Sequence, residues 1–400
     1  MRWLLPLCLL CACGVQGPVT TTGGGAGGGI FSSGGGSATG GGEGSVGGGV
    51  ATLGGGDGTL GGGDGSVGGG AATVGGGDGT TGGGSAVTGG GAPDAGPAPL
   101  TWAIMSITGT TSSSNIIGVS GTHNDVWAVQ DTGNLFHSTG GAFAKVVGFN
   151  SATGLYASDG GVVVSSTRYI YRCSSDCEDA GAYAALNLLD SSMNWNYFAE
   201  GAICGEGADH VVVVASDVDN EAHLFEWNGS SWTVGANSLG ITYPRRCWFD
   251  ENGGLYVNGR GGLVYLDQGA STPVAVGNAS DILYGGATVD GTTWVTGSYQ
   301  FVAKGSGTSF TQLATTGASS LFWAAGGLRG DEVFLLGYYT TTNAIGAGYV
   351  WNGSQLKKVG DTLPNMRSQS TVRAIHPTAE NELFIGGTDG NGPVILRGRR

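Results

Sequence analysis

The sequence predicts an all-β fold, a single β-propeller of seven four-stranded blades behind a glycine-rich tether, and three observations predict it. Past Leu100 the chain is rich in Val, Leu, Tyr, Trp, Gly, Ser and Thr, with sparse charge. No stretch there holds an apolar pattern of helical period, whereas short alternating runs bounded by Gly, Asp or Asn recur throughout. One four-strand unit returns at spacings of about 36 to 50 residues, which is the length of a propeller blade.

Residues 1–12 carry one positive charge at Arg2 and an apolar run from Trp3 broken by Pro6, the two parts of an export signal. The run is too short to span a bilayer, which takes about 20 apolar residues. Its end, Leu10-Cys11-Ala12-Cys13, resembles the lipobox of bacterial lipoproteins. That resemblance implies lipidation of Cys13, which would become the new N-terminus, and anchorage to the bacterial outer membrane or cell surface. An ordinary cleaved signal, giving a periplasmic or secreted protein, is the alternative.

Residues 13–99 form the tether. From Gly40 a Gly-Gly-Gly triplet returns every seven residues up to Gly89, with fillers such as Asp57-Gly58-Thr59-Leu60. So little side chain leaves nothing to bury, and glycine loses most backbone freedom on ordering, so disorder is the expected state. The period is seven rather than the nine of calcium-binding β-helix repeats, and Asp57, Asp64 and Asp78 precede a Gly instead of following Gly-x.

Residues 100–400 are the propeller. Ile116–Val119, Asp125–Val129, Asn134–His137 and Phe143–Val146 read as four strands with tight connections. The second of these returns at Gly161–Val164, His210–Val213, Gly254–Val257, Thr293–Thr296, Glu332–Leu335 and Glu382–Ile385. Asn228-Gly229 and Asn352-Gly353 are expected to form type I′ hairpins, with both residues at positive φ. The last repeat has only three strands, and Trp102–Ile107 is an orphan strand able to supply the fourth and close the ring. Glu382-Leu383-Phe384-Ile385-Gly386-Gly387 resembles a kelch strand, and the repeats resemble those of bacterial surface propellers; neither resemblance carries a function across.

Four cysteines lie beyond Cys13, an even number in an exported chain, so disulfides are expected. Cys173 and Cys177 are placed to close a local ring, and Cys204 and Cys247 to staple neighbouring blades. Basic residues number 16 against 30 acidic, a net charge of −14, which excludes a nucleic-acid surface. The Arg397, Arg399, Arg400 ending reads as a solvated tail. Asp217, Asp219 and Glu221 could gather oxygens around Ca²⁺, although no complete calcium loop is present and no cofactor is otherwise implied.

No nucleophile elbow and no histidine pair at metal spacing occurs, so no catalytic residue is assigned. In a four-stranded meander the loop joining strands two and three lies at the same end as the crossing to the next blade. That top face gathers Arg168, Tyr169, Trp195, Arg245, Arg260, Tyr299, Tyr338 and Asp389, a composition suited to protein or carbohydrate recognition. The expectation is a monomeric, membrane-anchored binding protein without chemistry of its own. The alternative is a tethered glycoside hydrolase or polysaccharide lyase.

Overall fold

The computed structural model describes residues 98–400 except 111–112, 188–194, 236–237, 278–280, 316–319, 340–347, 360–362 and 365–369. The leader, Cys13 and the tether through residue 97 lie outside the described residues, as does the side chain of Trp195. The described chain is built of strands with two 3₁₀ turns, and no helix in it is long and apolar enough to cross a membrane.

Two short strands open the fold, β1 (Thr101–Ile104) and β2 (Ile107–Thr108). Four-stranded antiparallel meanders follow. The first is β3 (Ile116–Thr122), β4 (Asp125–Gln130), β5 (Asn134–Ser138) and β6 (Phe143–Gly148). The next has β7 (Gly154–Ser158), β8 (Gly161–Ser165), β9 (Tyr169–Cys173) and β10 (Ala184–Asn187). Then come β11 (Trp195–Gly205), β12 (Val211–Asp217), β13 (Ala222–Trp227) and β14 (Trp232–Val234). They are followed by β15 (Thr242–Phe249), β16 (Leu255–Arg260), β17 (Gly262–Asp267) and β18 (Ala270–Val274).

After these lie β19 (Leu283–Val289), β20 (Thr292–Gly297), β21 (Val302–Ser306) and β22 (Ser309–Gln312). The chain ends with β23 (Ser320–Arg329), β24 (Glu332–Tyr339), β25 (Gly348–Trp351) and β26 (Leu356–Lys358), then β27 (Thr371–Ala379), β28 (Glu382–Thr388) and β29 (Pro393–Arg399). A single bridge, Tyr338 to Thr371, joins these last two groups and β1 into one eight-stranded sheet.

The core is divided into the interfaces between successive sheets. Ile117, Trp127 and Val129 pack on Leu155, Val162 and Val164, and equivalent apolar groups repeat at each junction onward. The final one joins Ala374, Phe384 and Ile395 back to Ile116, Val126 and Phe136, so the end of the chain packs on its beginning. Glycines permit the close approach of innermost strands: a Cβ on Gly286 would fall 2.1 Å from the Trp248 ring.

The orphan strand supplies the missing partner as expected, with Thr101–Ile104 antiparallel to Leu396–Arg399. It does so with only half of the anticipated segment. At Met105 and Ser106 the chain leaves that sheet, the Met105 N–H bonding the Ile395 carbonyl and Ser106 accepting from Phe143. Ile107–Thr108 then runs parallel to Phe143–Ala144 as a fifth strand of the first sheet, so the segment straps two sheets together.

Two expectations are corrected. At both Asn-Gly turns only the glycine has positive φ, 89° at Gly229 and 87° at Gly353, so neither is type I′. Each loop is four residues long, and the Asn side chain caps it: Asn228 Oδ1 accepts from the Ser230 and Ser231 N–H groups, and Asn352 Oδ1 from those of Ser354 and Gln355. The C-terminal arginines are not a solvated tail. Arg397 is buried and bonds Glu382 at 2.6 Å, Arg399 bonds the same carboxylate at 2.6 Å, and Arg400 pairs with Glu332.

Candidate functional site

The innermost strands β3, β7, β11, β15, β19, β23 and β27 line a central cavity of about 330 Å³. Each begins at the top face, where crossings arrive, and several carry a bulge near that end. Register shifts fall between Ile116 and Gly118, Thr242 and Arg246, Leu283 and Gly285, Phe322 and Ala324, and Val372 and Ala374. A bulge places an extra residue outside the ladder and re-aims its side chain.

Four bulged residues on β15, β19, β23 and β27 stack in ring order. The Arg245 guanidinium lies 5.5 Å from the Tyr284 ring centre, Tyr284 lies 4.6 Å from Trp323, and the Arg373 guanidinium lies 3.5 Å above Trp323. All four are half-buried. Each cation meets the negative face of an aromatic ring, which also fixes a side chain that would otherwise roam.

A bulge frees backbone carbonyls, and the next polar residues take them up. Arg246 reaches across the cavity, Nε donating to the Trp323 carbonyl at 3.1 Å and a terminal nitrogen to that of Arg373. Buried Asn258 accepts from the Arg246 N–H at 2.9 Å and donates to the Gly285 carbonyl at 3.1 Å. Thr296 Oγ1 donates to the Phe322 carbonyl at 3.2 Å. Two buried donors at this end, Arg245 Nε and Trp323 Nε1, have no hydrogen-bond partner among the described residues.

The anticipated top-face residues divide around this stack. Arg245 belongs to it. Arg260 and Tyr299 stand beside it: Arg260 bridges to Ile282, two residues before Tyr284, and the Ser298 N–H next to Tyr299 bonds the Ile282 carbonyl. Tyr299 is 80% exposed and held at φ 53°, with Gln300 at 61°, two consecutive left-handed residues that cost energy to hold. Tyr338 is exposed at the bridge to Thr371. Arg168 is exposed and Tyr169 half-buried on the second meander, away from the stack, while Trp195 opens β11 opposite Asp217. Asp389 is taken up in its own turn, accepting from Asn391 and Gly392. Tyr284, Trp323 and Arg373 were not anticipated; each precedes small residues, as in Tyr284-Gly285-Gly286 and Trp323-Ala324-Ala325.

The anticipated calcium group changes membership. Asp217, Glu221 and His223 come together, and the Asp219 carboxylate is not among them. Burial alone would raise the Asp217 carboxyl, but N–H donation from Glu221 and Asp219 and the bond from His223 at 3.0 Å outweigh it and hold it below the usual carboxylate range. Asp217 is thus engaged with its own loop. Both disulfides form as read: Cys173–Cys177 closes the local ring, and Cys204–Cys247 joins β11 to β15 at the cavity wall. Such bonds fit an oxidising compartment.

Among the described lining residues the ionisable ones are Arg246, His376 and Tyr156, with no Asp or Glu. Burial pushes the His376 imidazole below its usual range, only partly offset by its bond to the Gly121 backbone. Glu332, the carboxylate raised by burial against the pull of Arg400, is not among the cavity's lining residues. Among the lining residues described, paired carboxylates of the kind that glycoside hydrolysis requires do not occur.

No protein-family model and no curated protein matches the sequence. Solved structures match it in shape. YCF48 bound to a D1 peptide is 14% identical over 76% of this chain and 96% of that one, with a TM-score of 0.58. A catalytically inactive virginiamycin B lyase from Staphylococcus aureus is 10% identical over 75% and 99%, at 0.58. The extracellular domain of BT4673, a hybrid two-component system of B. thetaiotaomicron, is 11% identical over 74% of this chain and 39% of that one, at 0.56. The fold is a β-propeller. Identities this low carry nothing further.

Proposed function

We propose that this propeller is an exported, lipid-anchored binding protein whose top face recognises a partner outside the cytoplasmic membrane, without chemistry of its own. The observation that carries the reading is the rigid set of arginine and aromatic side chains at the channel mouth, bordered by exposed Tyr299 and Tyr338. Arginine, tyrosine and tryptophan are the residues that dominate recognition surfaces, most of all when already fixed in place. In this reading the ring has seven blades, one per innermost strand, closed by pairing of β1 with β29, and the domain is monomeric. Cys13 carries the lipid, and the 86 residues from Gly14 to Pro99 serve as the tether. A propeller of similar shape bound to a peptide is a precedent for such use of the fold.

Labelling intact cells with an antibody to the propeller tests the placement, comparing the native chain with Cys13→Ser. Labelling of native cells, with the variant released to the medium, is the expected result. Cells that stay dark until the envelope is opened would move the protein, and the search for its partner, to the periplasm.

A further inference from the structure

We propose that the wedge between the third and fourth sheets is a binding site for a small aromatic amine, a ligand with a flat apolar body and an ammonium group. It lies at the end of the meanders opposite the top face and does not depend on the reading of that face.

A cavity of about 380 Å³ opens in this wedge, a volume within the range of small-molecule sites, roughly 300–1,000 Å³. Its apolar wall is Leu224 on β13, facing Phe249, Leu255 and Leu266 on β15, β16 and β17. The turns at Gly253 and at Gln268-Gly269 border it. These turns join first to second and third to fourth strands, which places them at the end away from the channel mouth.

The wedge lacks a filling that the other junctions have. Sheets that radiate from a common axis diverge outward, and at every other junction an aromatic ring from a third strand, an outer strand or β1 packs into the apolar cluster. Tyr171 does so between the first and second sheets, Trp232 between the second and third, Phe310 and Trp351 at the two junctions after the fourth, and Trp102 and Phe143 at the last two. Between the third and fourth sheets the third strands contribute Leu224, Val264 and Leu266, and the one aromatic ring among the described residues of that cluster, Phe249, stands on the innermost strand. Apolar surface left facing an open wedge is unfavourable, and an inserted ring would cover it.

Charge selects the rest of the ligand. Among the described lining residues the ionisable ones are His210 and Glu226, with no Lys or Arg. His210 Nε2 meets Glu226 at 3.2 Å and its Nδ1 meets Glu206 at 3.0 Å. The imidazole also lies 5.1 Å from the Phe249 ring, so this acidic group adjoins the apolar wall. One imidazole faces two carboxylates, which leaves negative charge in excess whether the ring is protonated or not. An ammonium on an aromatic body answers both halves of the site, the ring entering the wedge and the N–H donors reaching Glu226.

The test titrates the full chain by calorimetry with tryptamine, tryptophol and indole-3-acetate. Tryptamine binds, and tryptophol, which keeps the indole and lacks the charge, binds roughly fivefold more weakly. Indole-3-acetate does not bind, and raised salt weakens the tryptamine affinity. Glu226→Gln lowers that affinity roughly fivefold, a modest factor because the carboxylate is half exposed and screened. Leu266→Trp supplies the missing ring and abolishes binding, with a thermal midpoint that is unchanged or raised, as cavity filling gives. If Leu266→Trp does not fold, Glu226→Gln decides alone. Absence of tryptamine binding, indifference to Glu226→Gln, retention of binding by a folded Leu266→Trp, or equal affinity for indole-3-acetate overturns the site. None of these outcomes bears on the top face, whose reading stands or falls with the labelling of intact cells.

Discussion

Arginine is used in two opposite ways at two places in this propeller. Where the last sheet meets the first, Arg397 and Arg399 converge on one carboxylate, Glu382, whose side chain is 1% exposed and which also meets His123 at 3.2 Å and Thr378 at 2.7 Å. At the channel mouth the described contacts of Arg245, Arg246 and Arg373 are ring faces and backbone carbonyls. In the first region charge is consumed internally and fastens the ring. In the second the described contacts fasten the side chains to the rings and backbone of neighbouring strands.

The largest expected effect separates the two. Glu382→Ala strands the arginines of the seam, and breaking a buried ionic group in this way costs about 3–5 kcal/mol. Chemical denaturation should show that loss, with Arg245→Ala costing under about 1 kcal/mol, since a cation on an accessible ring contributes little more. Equal losses at both places would show that the mouth is structural mortar too.

The two disulfides give the next largest contrast. Cys204–Cys247 closes 43 residues and Cys173–Cys177 closes 4. Loop-closure entropy then assigns about 4 kcal/mol to the first and about 2 kcal/mol to the second. The measurement is the midpoint shift of Cys204→Ser with Cys247→Ser against that of Cys173→Ser with Cys177→Ser, and a larger loss from the short ring would mean that native-state packing rather than chain entropy sets the order.

Acid titration sharpens the seam further. His376, near Gly121 of the first sheet, has a folded pKa lowered by burial, so its contribution is present above its unfolded value and is lost as pH falls from about 6.5. Glu382 is lowered as well: burial opposes this, but Thr378, Arg399 and His123 outweigh it. Its contribution is therefore lost only as pH drops below about 4. Stability against pH should fall in two stages, and His376→Gln should flatten the first alone. A single stage, or one untouched by His376→Gln, would remove the histidine from the account.

The repeats, the closing strand and the cystine pairs were legible because each leaves a local mark: alternation of apolar residues, a repeat one strand short, and cysteines on strands that the repeat length makes neighbours. The stack was less legible. Arg245 was anticipated from its place at a crossing, but Tyr284, Trp323 and Arg373 occupy bulges, and a bulge breaks alternation by one residue without announcing which side chain it turns. A signal was present in retrospect: Ile117-Gly118, Tyr284-Gly285, Trp323-Ala324 and Arg373-Ala374 all set a large residue before a small one at the same place in the unit. The seam arginines were misread because three arginines within four residues look solvated, whereas Arg397 and Arg399 meet Glu382 across the β28–β29 pairing, 15 and 17 residues away, and the other partner, His123, lies 259 residues from Glu382.

The smallest expected effect on stability is the most telling one for the comparison. Trp323→Phe keeps an aromatic surface between Tyr284 and Arg373 and removes one N–H that has no partner among the described residues. Deleting an unsatisfied buried donor relieves a cost of about 1 kcal/mol, which offsets what the smaller ring loses in contact, so the unfolding midpoint should move by less than about 1 kcal/mol in either direction. A comparable excision at the seam, Thr378→Val, removes a bond that Glu382 uses and should lower stability by about 1.5–3 kcal/mol, the range for hydrogen bonds to charged groups. A donor whose removal leaves folding untouched was not placed there by the needs of folding, and the difference between the two variants measures how far the mouth is released from that duty.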